Sequence, residues 1–143
     1  PTIAYPLSGI IPKLKAKGRA GQRTLAFEFS LLGYSAALVY GLVAHVGRGV
    51  LLIYLAYFIS VVMLVIFNMI VKKRASGHAC SITGPLLLMV YFMGRKIILP
   101  CILLLALASW SSLRLKRHTR SDLLFGMLSA GIAFGVSLLI VAL

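Results

Sequence analysis

The chain has 143 residues, of which 61% are hydrophobic, and 15 Lys and Arg face only two acidic residues, giving a net charge of +13. A soluble domain of this size is closer to half apolar, and the apolar residues here fall in blocks near twenty long, so the excess calls for a lipid environment. The cations form short clusters between those blocks rather than a stripe along a helix, which excludes nucleic acid as the natural partner and points to membrane topology and anionic headgroups. Cys80 and Cys101 fit no metal spacing and no disulfide framework.

Residues Pro1 to Pro12 are apolar but too short to span, and read as the stump of an earlier helix or an interfacial segment. The chain starts at Pro1 rather than Met, so part of the natural N-terminus is expected to be missing. Lys13 to Arg23 is a basic loop, and Leu25 to Val46 a first complete span with Glu28 near its start. Gly47-Arg48-Gly49 turns the chain into a second span, Val50 to Val71, closed by Lys72-Lys73-Arg74. A third apolar run reaches Gly94, and Gly84-Pro85 should bend or restart it. Ile97 to Leu113 is barely long enough to cross. Arg114 to Asp122 is the most polar stretch, and Leu123 to Leu143 is the last span. The fold class is therefore all-α: a polytopic transmembrane bundle of about five spans, two of them short, in a single membrane-embedded domain over residues 1–143.

Counting crossings puts Lys13–Arg23, Lys72–His78 and Arg114–Asp122 on one side of the bilayer. Twelve of the cations lie there, and only Arg48, Arg95 and Lys96 lie opposite. By the positive-inside rule the basic face is expected to be cytoplasmic, and the expected location is the cell membrane. A phosphate site among these residues would bias the same count whichever way it faced.

The rare polar groups gather on that face. His118 and Asp122 are four apart, so on a helix they would share one side, with the carboxylate fixing the imidazole tautomer and leaving the other nitrogen basic. The plainer reading is a helix-end hydrogen bond that steadies a loop. Ser76-Gly77-His78 opens a helix beside Lys and Arg, where backbone N–H groups and the helix dipole favour an oxyanion and His78 is placed to protonate a leaving oxygen. Here the plainer reading is Ser76 as an N-cap with Gly77 at a tight turn.

Taken together, the three basic loops resemble the signature segments of the type 2 phosphatidic acid phosphatase family, which read Lys-x6-Arg-Pro, Pro-Ser-Gly-His and Ser-Arg-x5-His-x3-Asp. The second stands here as Ala75-Ser76-Gly77-His78, and the third runs from Ser111 to Asp122 with His118 and Asp122 at the family spacing and Ser112 where the family has Arg. The first is the poorest match: Arg23-Thr24 stands for Arg-Pro, and Ala16 holds the Lys position between Lys15 and Lys17. The resemblance implies a lipid phosphatase in which His118 attacks phosphorus, Asp122 orients it, and His78 protonates the departing alkoxide. Ser76, Gly77, Arg74, Arg23, Lys17 and Lys15 would hold the phosphate, and no metal or organic cofactor is implied. For the missing Arg, the candidates are Arg114 and Arg117, four and one residues before His118; on a helix Arg114 would share the His118 face.

The expected substrate is the phosphomonoester or pyrophosphate of a lipid: an isoprenoid phosphate, phosphatidic acid or phosphatidylglycerol phosphate, with a lean toward the prenyl type. Its headgroup would enter at the membrane surface while its tail stays in lipid. The alternatives are a catalytically degenerate protein that binds anionic lipid or scaffolds a complex, and a small transporter or channel subunit. The last would place ionisable residues within the spans, where only Glu28 comes close. Oligomeric state is not legible. The hydrolase reading requires that His78 and His118, forty positions apart, face one anion-sized pocket.

Overall fold

The computed structural model describes the backbone of residues 18–143 and the side chains of residues 25–143. The expectations for the segment before residue 18, including Lys13, Lys15 and Lys17, and for the side chains of Arg19 and Arg23 lie outside the described residues. What is described is a bundle of five α-helices: α1 (Gly18–Val43), α2 (Arg48–Val65), α3 (Gly77–Met93), α4 (Ile98–Arg114) and α5 (Arg120–Ala142). A π-helical turn, Ile66–Ile70, extends α2, and a 3-10 turn, Arg95–Ile97, leads into α4.

Four stretches are long and apolar enough to cross a bilayer: Leu25–Val43, Arg48–Ile70, Arg95–Arg114 and Arg120–Ala142. The two short helices expected are α3 and α4, of 17 residues each, and with its 3-10 turn the α4 stretch reaches 20. The 17 residues of α3 rise roughly 25 Å against the ~30 Å of a hydrocarbon core. α3 runs through Pro85 as one helix, so the chain does not restart there. In apolar surroundings a single missing N–H costs less than two open helix ends, and transmembrane helices tolerate proline for that reason.

Packing is centred on α5, which lies against α2 and α3; α1 lies on α2, and α4 leans on α3. Two apolar clusters hold the centre. One joins Leu64, Ala75, Cys80 and Ala130 with Phe27, Phe67 and Phe125 near the basic end. The other joins Leu52, Ala56 and Leu88 with Tyr57, Phe134 and Leu138 deeper in the bundle. By contrast α4 turns Leu99, Leu103 and Leu107 outward, each more than half exposed, as suits a surface against lipid.

Two helices stop by the same device, without a glycine. At the end of α1, Val46 N–H bonds the Gly41 carbonyl and His45 N–H the Leu42 carbonyl, with His45 at φ 48°. At the end of α4, Arg117 N–H bonds Ser112 and Lys116 N–H bonds Leu113, with Lys116 at φ 51°. Both are Schellman caps, in which one left-handed residue lets the last carbonyls find donors. This stops α1 at Val43, short of the expected Val46, and turns the chain sharply ahead of His118.

Candidate functional site

The loop ahead of α3 and the first turn of α5 meet through main chain. Ser76 N–H donates to the Asp122 carbonyl at 2.8 Å, tying the residue before α3 to the first turn of α5. The helices can approach this closely because residue 126 is glycine: a Cβ there would run into the Ser76 carbonyl and sit 2.9 Å from the Ala79 Cβ. Ser76 is also the N-cap of α3, its Oγ accepting from Ala79 N–H at 3.2 Å. The incoming loop is held by Asn68, whose amide donates to the Leu64 and Ala75 carbonyls (2.8 and 3.3 Å) and accepts from Ala75 N–H at 3.4 Å. The π turn that carries Asn68 and the left-handed Lys72 (φ 54°) together swing Arg74 back over the bundle end.

Around Asp122 the geometry corrects the helical pairing expected from spacing. His118 precedes α5 rather than lying on it. Thr119 is the N-cap and Asp122 the third helical residue of a capping box, in which Asp122 N–H donates to Thr119 Oγ1 and Thr119 N–H to Asp122 Oδ2, both at 3.1 Å. His118 reaches the same carboxylate across the cap, with Nδ1 3.8 Å from Oδ2, and Arg74 Nε stands 3.6 Å from that oxygen. The Asp122 side chain is 7% exposed, His118 21% and Arg74 54%, so charge accessibility increases outward from the carboxylate. Nδ1 is thus the ring nitrogen on the Asp122 side.

A cavity of about 750 Å³ opens at this end of the bundle. Arg74, His78 and His118 line it together with Gly77, and Ala26 and Phe27 of α1 complete that end. Deeper, its walls are Tyr34, Ala56, Tyr57, Ser60, Leu88 and Phe134. Tyr34 and Tyr57 stack with ring centroids 5.4 Å apart. The first-turn N–H groups of Gly77 and His78 lack intrahelical acceptors, as every helix start does.

Not every candidate comes to this cavity. The α4 cap at Lys116 separates Arg114 from His118, so the two do not share a helix face as expected; Arg114 instead lies over the Trp110 ring, 5.2 Å from its centroid. Arg117 is exposed, and neither arginine is among the residues that line the cavity. Ser112 is buried in a separate small crevice with His78, Ala79, Ser109 and Leu123. It therefore neighbours the site but is too short to replace a guanidinium. Arg74 is the cation that both lines the cavity and touches Asp122.

Comparison of the chain with known protein families, with characterised proteins and with solved structures returns no match.

Sequence reasoning did not name the deeper walls, such as Tyr34, Tyr57 and Ser60, because nothing in an apolar run separates a cavity-facing side chain from a lipid-facing one. Thr119 was legible: Thr-x-x-Asp ahead of an apolar run is a capping signal. Among the described residues no group of three or more His, Cys, Asp or Glu is placed to hold a metal ion.

Proposed function

We propose that the protein is a membrane lipid phosphatase that works through a phosphohistidine. The observation that carries this reading is that two histidines from distant loops, His78 and His118, line one cavity with Arg74. The resemblance of the loop motifs to the type 2 phosphatidic acid phosphatases supports it independently.

In this reading the phosphate sits at the mouth, held by the Arg74 guanidinium and the first-turn amides of α3. His118 Nε2 attacks phosphorus; the bond from phosphorus to the lipid oxygen breaks, and that oxygen takes the proton from His78. Asp122 stabilises the cationic imidazole and keeps its ring oriented, as a buried carboxylate does behind a catalytic histidine. Water then attacks the phosphohistidine and gives a proton to the now neutral His78. The N–P bond breaks, inorganic phosphate leaves, and both histidines return to their starting states. No step needs a metal or organic cofactor. By the distribution of cations the site faces the cytoplasmic side of the cell membrane.

Purified protein given a panel of lipid phosphates should release inorganic phosphate, and His118→Ala should reduce release to background while the protein stays folded. A second reading is favoured by Ser112, which leaves Arg74 as the described guanidinium in the cavity lining. Loss of one transition-state donor costs about 10²- to 10³-fold in turnover, and a chain so depleted would bind anionic lipid without hydrolysing it. Lipid binding with no phosphate release across the panel would select that reading. Release into solution would reject it.

A further inference from the structure

We propose that the cavity seats the hydrocarbon chain of a single-chain lipid phosphate inside the protein, with the chain end between Leu88 and Phe134. This rests on the phosphate-binding reading of the mouth and deepens it by naming the class of lipid. It replaces the expectation that the tail stays in the bilayer.

The argument begins with direction. On α3 the cavity wall runs from His78 to Leu88, ten residues on, or roughly 15 Å along the axis. On α2 it runs from Leu64 to Ala56, eight residues or roughly 12 Å. From the α5 cap, where Asp122 meets Arg74 and His118, Phe134 is twelve residues in, or roughly 18 Å. Arg74, His78 and His118 stand at the basic end, and the deeper wall is mostly apolar, with Ala56, Leu88 and Phe134 beside Ser60 and the Tyr34–Tyr57 stack. One anion with one chain behind it matches that order.

At the inner end Leu88, Ala56 and Leu52 form a buried cluster with Phe134 and Leu138 against it, and Tyr91 meets the Phe134 ring edge-on with centroids 5.9 Å apart. A shaft of roughly 15 Å takes an extended chain of about twelve carbons, with bonds of about 1.5 Å shortened by the zigzag. The volume of about 750 Å³ falls among pockets that enclose one drug-sized molecule. Two full-length acyl chains exceed it, so glycerolipids with paired tails are disfavoured against prenyl or alkyl phosphates.

The test uses dodecyl phosphonate carrying a diazirine at its terminal carbon, which cannot be hydrolysed, with the intact protein in phosphatidylcholine nanodiscs. After irradiation, labelled residues are mapped by peptide mass spectrometry. The expected labels fall on Leu88, Phe134 or Ala56 and are competed by excess untagged dodecyl phosphonate. Leu88→Trp should lower them about tenfold, whereas Leu107→Trp on the lipid-facing side of α4 should leave them unchanged. Labels confined to outward residues such as Leu103, Leu107 and Leu139 in the wild-type protein would overturn the proposal, with no variant needed. Phosphate release from dodecyl phosphate is measured in parallel. Shaft labelling without release from dodecyl phosphate or from any lipid of the panel supports the seat and sinks hydrolysis, whereas release with outward labelling sinks the seat alone.

Discussion

The mouth and the floor of the cavity are built by different forces. At the mouth, polar groups meet at fixed positions: Ser76 N–H on the Asp122 carbonyl, Thr119 and Asp122 in a reciprocal cap, and Arg74 and His118 on one carboxylate oxygen. At the floor, Leu52, Ala56, Leu88 and Phe134 merely fill space. Hydrogen bonds specify position and punish a misplaced atom; close packing specifies volume and tolerates exchange of one apolar shape for another. The mouth should therefore respond to isosteric changes of chemistry, and the floor only to changes of size.

The largest effect expected from this contrast is at Asp122. Asp122→Asn keeps the shape but removes the charge that Arg74 and His118 share, and should lower phosphate release about 10³-fold or more, by analogy with a carboxylate lost from behind a catalytic histidine. A rate within about threefold of wild type would show that the carboxylate only caps α5. Next, Gly126→Ala should destabilise the fold by about 3 kcal/mol, at the upper end for overpacking, because the added carbon meets main chain that cannot rotate away. Chemical denaturation in detergent measures it; an unchanged midpoint would mean that α3 and α5 are not held this close. At the floor, Leu88→Ala should cost about 2 kcal/mol, the low end for such truncations because the residue already borders empty space, while Leu88→Met should be close to neutral. A large loss from the methionine variant would blur the distinction between the two regions. Smallest is Ser76→Ala, at about 1 kcal/mol for a lost N-cap, read from the same denaturation curves.

Much of the fold was legible because lipid imposes a simple grammar. Apolar runs of about twenty residues gave the spans, and the parity of crossings correctly gathered the loops of Arg74 and His118 at one end. What escaped were features set by local backbone geometry. Lys116 and His45 take the left-handed cap position usually given to glycine, so no residue type announced the sharp turns that end α4 and α1. The result is that Arg114 turns onto Trp110, and the His118–Asp122 pair forms across a cap rather than along a helix. Spacing alone does not distinguish those two arrangements, since both put residues i and i+4 in reach. The cavity walls were hidden for another reason: Tyr34 and Tyr57 lie in the same kind of apolar run as Tyr40, which is 63% exposed.

The strap between Ser76 and Asp122 has a consequence for how this protein can evolve. It joins peptide groups, which every residue but proline supplies alike on the donor side and which all supply on the acceptor side. Exposed side chains around it can therefore drift while the two loops stay in register, provided position 126 remains free of a Cβ. A lineage under that single constraint can lose recognisable sequence long before it loses the architecture of its binding end.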